Sequence, residues 1–264
     1  MIDTVLRRLA LAAAMFAAVP LAHAQTPTGC DVTAAPVPAL TEKGPANLGV
    51  LKIALIRYRC ADYDADVASV VAEARDWVTR RAPQVDRPAI VLDIDETSLS
   101  NWEQLYHNDF GYLLGGACDL KSSAGCGQRD WELSASATAL KPTLELFLLA
   151  QRTKGRDGNA IAVFFITGRG EDPVERAATE LNLRRAGYDG YSKLLMRPAG
   201  EATADFKTRM RSLIGGEHTV IANIGDQFSD LAGGHAERCF KLPNPFYFIP
   251  GGTIPEGGLE CLRR

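Results

Sequence analysis

The sequence predicts an α/β fold: a parallel sheet with helices packed against both of its faces. Two patterns predict it. Short apolar runs alternate with amphipathic segments along the chain, and each run is apolar at nearly every position. A strand of that kind is buried on both sides, as in a parallel sheet covered by crossover helices. A third pattern locates the chemistry, because three of the runs lead into polar residues at Asp93, Thr167 and Asp226. Ligands of such sheets bind at the carboxyl ends of the strands.

At the N-terminus, Arg7 and Arg8 precede an apolar run from Leu9 to Val19, followed by Pro20 and Ala22-His23-Ala24. That layout is a secretory signal peptide, residues 1–24, with a small-x-small cleavage site. The run is shorter than the roughly 20 residues a membrane span requires, so no transmembrane segment is expected. Residues 25–45, rich in Pro, Thr and Ala, read as a linker or N-terminal arm, and residues 46–264 as the folded domain.

Within that domain, Val67, Val70, Val71, Ala74, Trp77 and Val78 recur at helical spacing in a helical region from 46 to 82, which Pro83 stops. AIVLDI (89–94) is the first strand. A stretch at about 97–136 has no clean period but many aromatics and glycines, and is a candidate cap inserted after that strand. Pro142 fits the first turn of a helix carrying Leu144, Phe147 and Leu148. IAVFFI (161–166) is the second strand, and Pro173 opens a helix that runs to Arg185 and is closed by Gly187. YSKLLM is the third strand, followed by a helix with Phe206, Met210, Leu213 and Ile214 on one face. TVIANI (219–224), a short helix and RCFKL complete the series before a Pro/Gly-rich tail.

Composition excludes several classes. The chain has 29 basic and 32 acidic residues and no Lys/Arg block interleaved with aromatics, so no nucleic-acid partner is expected. All six cysteines follow the cleavage site, and an even count in an exported chain points to disulfides. Cys118 with Cys126 is the expected pair, since ACDLKSSAGC reads as a small closed loop. Cys30 leaves a lipid tether open. There is no Cys-x-x-Cys, and His107, His218 and His235 stand apart, which argues against zinc.

Each polar element has an ordinary structural explanation by itself. Asp93 and Asp95 could mark a strand end, Thr167-Gly168-Arg169 a turn, Lys207 a solvated helix face, and Asp226 a helix N-cap. Their combination points elsewhere. In a parallel sheet the three strand ends share one edge, so Asp93, Asp95, Thr167 and Asp226 converge. Clustered carboxylates repel one another unless a cation joins them. All-oxygen ligation suits a hard divalent cation, and magnesium keeps carboxylates, waters and a substrate phosphate. A phosphate site accounts for the cluster.

DIDET, FFITGR, the Lys207 helix and IGDQFSDL together resemble the four motifs of haloacid dehalogenase-like (HAD) phosphohydrolases, whose core is a Rossmann-like sheet. The closer resemblance is to their exported acid phosphatases, the class B and plant-type subfamily IIIB. LDIDETSLSN, TALKPTLELF, TELNLRRAGYDGYSKLLMR and ERCFKLPNPFYFIP are similar to that family's connecting segments, covering about residues 45–250.

The resemblance implies Asp93 as nucleophile, forming an aspartyl-phosphate, and Asp95 as general acid and then base. It implies Mg²⁺ held by the carboxylates of Asp93 and Asp226 and the backbone carbonyl of Asp95. Thr167, Gly168 and Lys207 would bind the phosphoryl group, and Asp230 would orient Lys207 or a metal-bound water from behind. Acidic conditions favour a protonated Asp95, hence activity at acidic pH. The substrates implied are small phosphomonoesters, 5′-nucleotides among them in some members. Trp102 and Tyr106, with Phe110, Tyr112 and Trp131 nearby, are candidates for stacking on the leaving group, or else form the cap's own core. Two other readings are carried. One is a non-catalytic storage or surface-binding relative on the same fold, which would predict loss of a motif residue. The other is phosphotransfer to an alcohol. A phosphonatase would want a cap lysine, for which Lys121 is the visible candidate, and a dehalogenase would not need Asp95.

Overall fold

A computed structural model describes residues 27–30 and 46–249. The expected signal peptide and most of the expected linker lie outside the described residues. Two helices open the domain, α1 (Leu48–Ala61) and α2 (Tyr63–Arg81), so the single helical region read from sequence is broken at Asp62. Asn47 caps α1, its side chain accepting from the N–H groups of Gly49 and Val50. Pro83 falls in a 3-10 turn that ends α2. Among the described residues, no helix is long and apolar enough to cross a membrane.

The central sheet contains β1 (Pro88–Leu92), β4 (Ala162–Gly170), β5 (Lys193–Arg197), β6 (Thr219–Gly225) and β7 (Cys239–Lys241). Its order is β5-β4-β1-β6-β7 and every pairing is parallel. Alternation along β1 explains why the strand is apolar throughout. Ile90 and Leu92 join the cluster that contains Val67, Val71 and Val78 of α2 and Leu146 and Phe147 of α5 (Lys141–Arg152). Ala89 and Val91 face the opposite way, toward Phe206, Met210 and Ile214 of α7 (Thr203–Gly215). Burying a large aliphatic or aromatic side chain contributes about 1.5–3 kcal/mol, so both sides of the sheet hold the strand in register.

The remaining crossover helix, α6 (Pro173–Arg185), starts where sequence placed it. Asp172 caps it by accepting from the N–H groups of Val174 and Glu175, and Gly187 ends it at a φ of +97°. Because β4 and β6 flank β1 on opposite sides, the chain reverses its direction of travel across the sheet at β1. The crevice at such a reversal is the expected ligand site.

Between β1 and α5 the chain builds β2 (Leu99–Ser100), α3 (Trp102–His107), α4 (Gln128–Ser134) and β3 (Thr138–Ala139). β2 and β3 pair antiparallel. Arg129 ties α4 to the start of α6 through Glu175 at 2.6 Å and Asp172 at 3.3 Å. The Cys118–Cys126 disulfide is present as expected, and Cys30 is joined to Cys60. That second bond removes the lipid tether left open for Cys30, since its sulfur is already taken.

Candidate active site

The turn after β1 is built to present two carboxylates. The carbonyl of Ile94 accepts from the N–H groups of Thr97, Ser98 and Leu99, which folds the chain sharply back. Glu96 takes the left-handed conformation (φ +52°), costly for a residue with a side chain. Its buried carboxylate offsets that cost by accepting from the backbone N–H of Asn101 at 2.5 Å and from Asn101 Nδ2 at 3.1 Å. Asp93 and Asp95 consequently line one cavity of ≈ 520 Å³, with Gly168, Arg169, Lys207, Asp226 and Asp230.

Lys207 is no solvated helix residue. It is 3% exposed, and its ammonium donates to Asp93 and, at 2.7 Å, to Asp230 Oδ1. Asp230 Oδ2 accepts from the backbone N–H of Gln227 at 2.7 Å, so both its oxygens are committed. Gln227, rather than Asp226, is therefore the N-cap of α8 (Phe228–Leu231). A Cβ on Gly225 would stand 2.3 Å from the Asp230 Cβ, which explains the glycine ahead of Asp226. Asp226 accepts from Thr97 Oγ1 at 3.0 Å, Gln227 Nε2 at 2.8 Å and Asn244 Nδ2 at 2.7 Å.

Asp93, Asp226 and Asp230 each present a carboxylate oxygen, all within 4.8 Å of one another. Burial pushes Asp93 well above its ordinary range; the Lys207 ammonium opposes this, while Asp230 and Asp226 add to it. Burial, then Asp230, brings Asp226 up to about 7. Lys207 itself is raised, its two carboxylates outweighing the effect of burial. One ammonium does not balance three carboxylates. The donor set is all oxygen, buried and in excess of its counter-charge, which fits a hard divalent cation. Asp230 therefore stands beside that cluster as well as on Lys207, where the sequence reading had it orient Lys207 or a metal-bound water from behind.

Asp95 has a partner that sequence reasoning did not assign. Arg169, whose side chain is fully buried, donates Nη2 to Asp95 Oδ1 at 2.7 Å and Nε to Oδ2 at 3.1 Å. Asn101 Nδ2 adds a third bond at 2.9 Å. Burial would raise the Asp95 carboxyl, but the charge and hydrogen bonds of Arg169, helped by Asn101, hold it below the usual carboxylate range. The signal was in the sequence: Arg169 follows Thr167-Gly168 at the end of an apolar strand, within FFITGR, but that position alone does not name its partner.

Thr167 is buried under the site, where its Oγ1 accepts from the N–H of Arg169 at 3.1 Å. Gly168 lines the cavity, and Arg197 Nε donates to its carbonyl at 3.0 Å. Trp102 and Tyr106 do not line it. Trp102 donates Nε1 to the carbonyl of Thr28 at 2.9 Å and packs among Tyr106, Phe110 and Phe246. The 27–30 segment, fixed by Cys30–Cys60, covers this face of α3, with Gly29 against the Tyr106 ring. Trp131 is buried too, donating to Asn101 Oδ1 at 2.7 Å. The aromatics that reach the cavity are Phe110, Tyr112, Tyr247 and Phe248.

Comparison with known proteins gives the family. Residues 52–250 match the model of the HAD superfamily, subfamily IIIB (acid phosphatase). The chain is 34% identical over 172 residues to the stem 28 kDa glycoprotein of Glycine max, an alignment covering 62% of this chain and 61% of that protein. It is 33% identical over 197 residues to acid phosphatase 1 of Solanum lycopersicum, covering 71% of this chain and 69% of the relative. Among solved structures, the class C acid phosphatase from Bacillus anthracis shares the fold with a TM-score of 0.59 at 21% identity, covering 76% of this chain and 86% of that one. The chain belongs to subfamily IIIB of the HAD superfamily, the acid phosphatases.

Proposed function

We propose that this protein is an exported, magnesium-dependent acid phosphatase that hydrolyses small phosphomonoesters through an aspartyl-phosphate on Asp93. The observation that carries the reading is the bonding of Lys207 to both Asp93 and Asp230 beside Asp226, in the same cavity as Asp95. Asp93, Asp95, Lys207 and Asp226 are all present, which supports an enzyme over a storage relative that has lost one of them.

Asp93 attacks phosphorus in line, and the ester oxygen departs on the opposite side. Lys207, fixed by Asp230, stands where it offsets charge on the phosphoryl oxygens, together with Thr167 and backbone N–H groups at Gly168. Asp93 and Asp226, with the Asp95 carbonyl, would hold Mg²⁺, and Asp230 stands next to that set. When bound, the cation supplies positive charge to the phosphoryl oxygens and keeps Asp93 ionised. Asp95 delivers a proton to the departing alkoxide and takes one from the water that hydrolyses the intermediate. To act as an acid it must leave or weaken its pairing with Arg169, and the arriving phosphate dianion is a competing partner for that guanidinium.

The segment from about 97 to 136 acts as a cap over the strand ends. Phe110, Tyr112, Tyr247 and Phe248 give the leaving group an apolar wall, which suits aromatic esters and nucleotides better than sugar phosphates. Export agrees with the N-terminal signal and with the disulfides seen among the described residues, Cys30–Cys60 and Cys118–Cys126, which persist in oxidising compartments.

Hydrolysis of p-nitrophenyl phosphate by the mature protein near pH 5.5, with Mg²⁺ and with EDTA, tests the reading beside Asp93→Asn. Activity that depends on the metal and disappears in the variant is the expected result. A folded, disulfide-intact protein that hydrolyses no monoester with metal present would overturn it.

A further inference from the structure

One cation near the site is not used by the mechanism. Arg211 follows Lys207 by one helical turn on α7, is 1% exposed, and makes no ion pair with a carboxylate among the described residues. Its guanidinium donates to three backbone carbonyls: Nη1 to Asp230 at 2.6 Å, Nε to Gly234 at 2.9 Å, and Nη2 to Ala232. Thr208 Oγ1 donates to the same Ala232 carbonyl at 3.0 Å, and Asn223 Nδ2 to that of Asp230 at 2.9 Å.

The segment so held needs outside partners. Gly233, Gly234 and His235 are consecutive left-handed residues, at φ of +78°, +74° and +64°. Such a run forms no ladder, and its carbonyls must be satisfied from elsewhere. α8, which carries Asp230, has only four residues and little stability of its own.

Resting on the phosphatase reading above, we infer that Arg211 is a positioning residue, whose clamp on the Asp230, Ala232 and Gly234 carbonyls sets where the Asp230 carboxylate stands and, through it, Lys207. Asp230 and Lys207 meet from α8 and α7, and Arg211 is the buried group that joins those two elements at the backbone. A planar fork with fixed donor directions suits three carbonyls in different directions, which a lysine cannot replace.

Arg211→Lys keeps the charge and loses the fork. On p-nitrophenyl phosphate with saturating Mg²⁺, we expect kcat per folded molecule to fall about 10- to 100-fold with KM changed less than about threefold, the scale of losing an outer partner. Calorimetric Mg²⁺ binding to the same variant should weaken by a similar factor. That readout also separates this inference from the parent reading: if the parent hydrolyses nothing, loss of Mg²⁺ affinity in Arg211→Lys still supports the clamp. A variant that melts earlier but keeps parental kcat and Mg²⁺ affinity would overturn it, leaving Arg211 purely structural. Should Arg211→Lys not fold, Thr208→Val removes the second donor to the Ala232 carbonyl that Arg211 holds, at little structural cost. A reduced kcat with unchanged KM then supports the inference, and a parental kcat and Mg²⁺ affinity overturns it.

Discussion

Arg169 and Asp95 form a two-point ion pair in the floor of the cavity, with N–O distances of 2.7 and 3.1 Å and an arginine side chain shut off from solvent. The pair holds ionised the carboxylate that the proposed mechanism uses as an acid. Arg169→Met leaves Asp95 with the Asn101 bond but no ion pair, and the cavity with one positive charge fewer. Its kcat is expected to fall by about 10²-fold, the lower end of what acid–base groups contribute. Arg169→Lys should lose less than Arg169→Met, because the charge remains while the fork is gone. Steady-state kinetics of both variants against pH check this.

Lys207 separates two buried carboxylates. Lys207→Met leaves Asp93 and Asp230 facing each other without it, and breaking a buried pair from one side costs about 3–5 kcal/mol. The expected outcome is a lower melting temperature without metal, partial recovery on adding Mg²⁺, and no recovery of activity. Thermal melts with and without the cation measure it.

The metal-free protein should be more stable in mild acid than at neutral pH. Burial brings Glu96 to about 7, Glu132 to about 7 and Asp226 to about 7. Each folded value lies above the unfolded one, so the folded state binds more protons in between. The stability these groups contribute is full below their unfolded values and is lost as pH rises toward 7. In EDTA the melting temperature should therefore fall from pH 5 to pH 7.5. Mg²⁺ should flatten that slope, since a bound cation favours ionised Asp226. A melt in EDTA that rises over this range would count against the assignment.

Trp102 belongs to the packing under α3 and not to the substrate wall. Trp102→Ala should cost about 3–5 kcal/mol, the range for a buried tryptophan, and leave the ratio of rates between aromatic and aliphatic esters unchanged. Tyr112→Ala and Phe248→Ala, at residues 72% and 67% exposed, should cost little stability and shift that ratio toward aliphatic esters. Measuring p-nitrophenyl phosphate against glycerol phosphate distinguishes the two groups.

The Cys118–Cys126 bond closes a short loop whose Cys126 carbonyl accepts from Gln104 and Asn108. A loop this small is worth about 2–3 kcal/mol in the chain-entropy account. Replacing both cysteines by serine should lower the melting temperature and, by loosening Gln104 on the cavity wall, raise KM more than it lowers kcat.

By itself the sequence determined the parallel sheet, the carboxylates at Asp93, Asp95 and Asp226, and the order of the crossover helices. These are local matters: a strand buried on both sides must be apolar throughout, and Asp172 and Gly187 start and end a helix through bonds to their own neighbours. It also named Lys207, although its burial and its two carboxylate partners come from different elements. Only the tertiary structure decided which charges meet. Arg169 on β4 reaches Asp95 after β1 across 74 residues of chain, and Trp102 faces the 27–30 segment because Cys30 is bonded to Cys60. Aromatic spacing on a short helix cannot say which side will be covered, because that depends on what packs against it from elsewhere in the chain. Arg211 was silent in the sequence for the same reason: its partners are backbone carbonyls, which every residue carries and no side-chain pattern reveals.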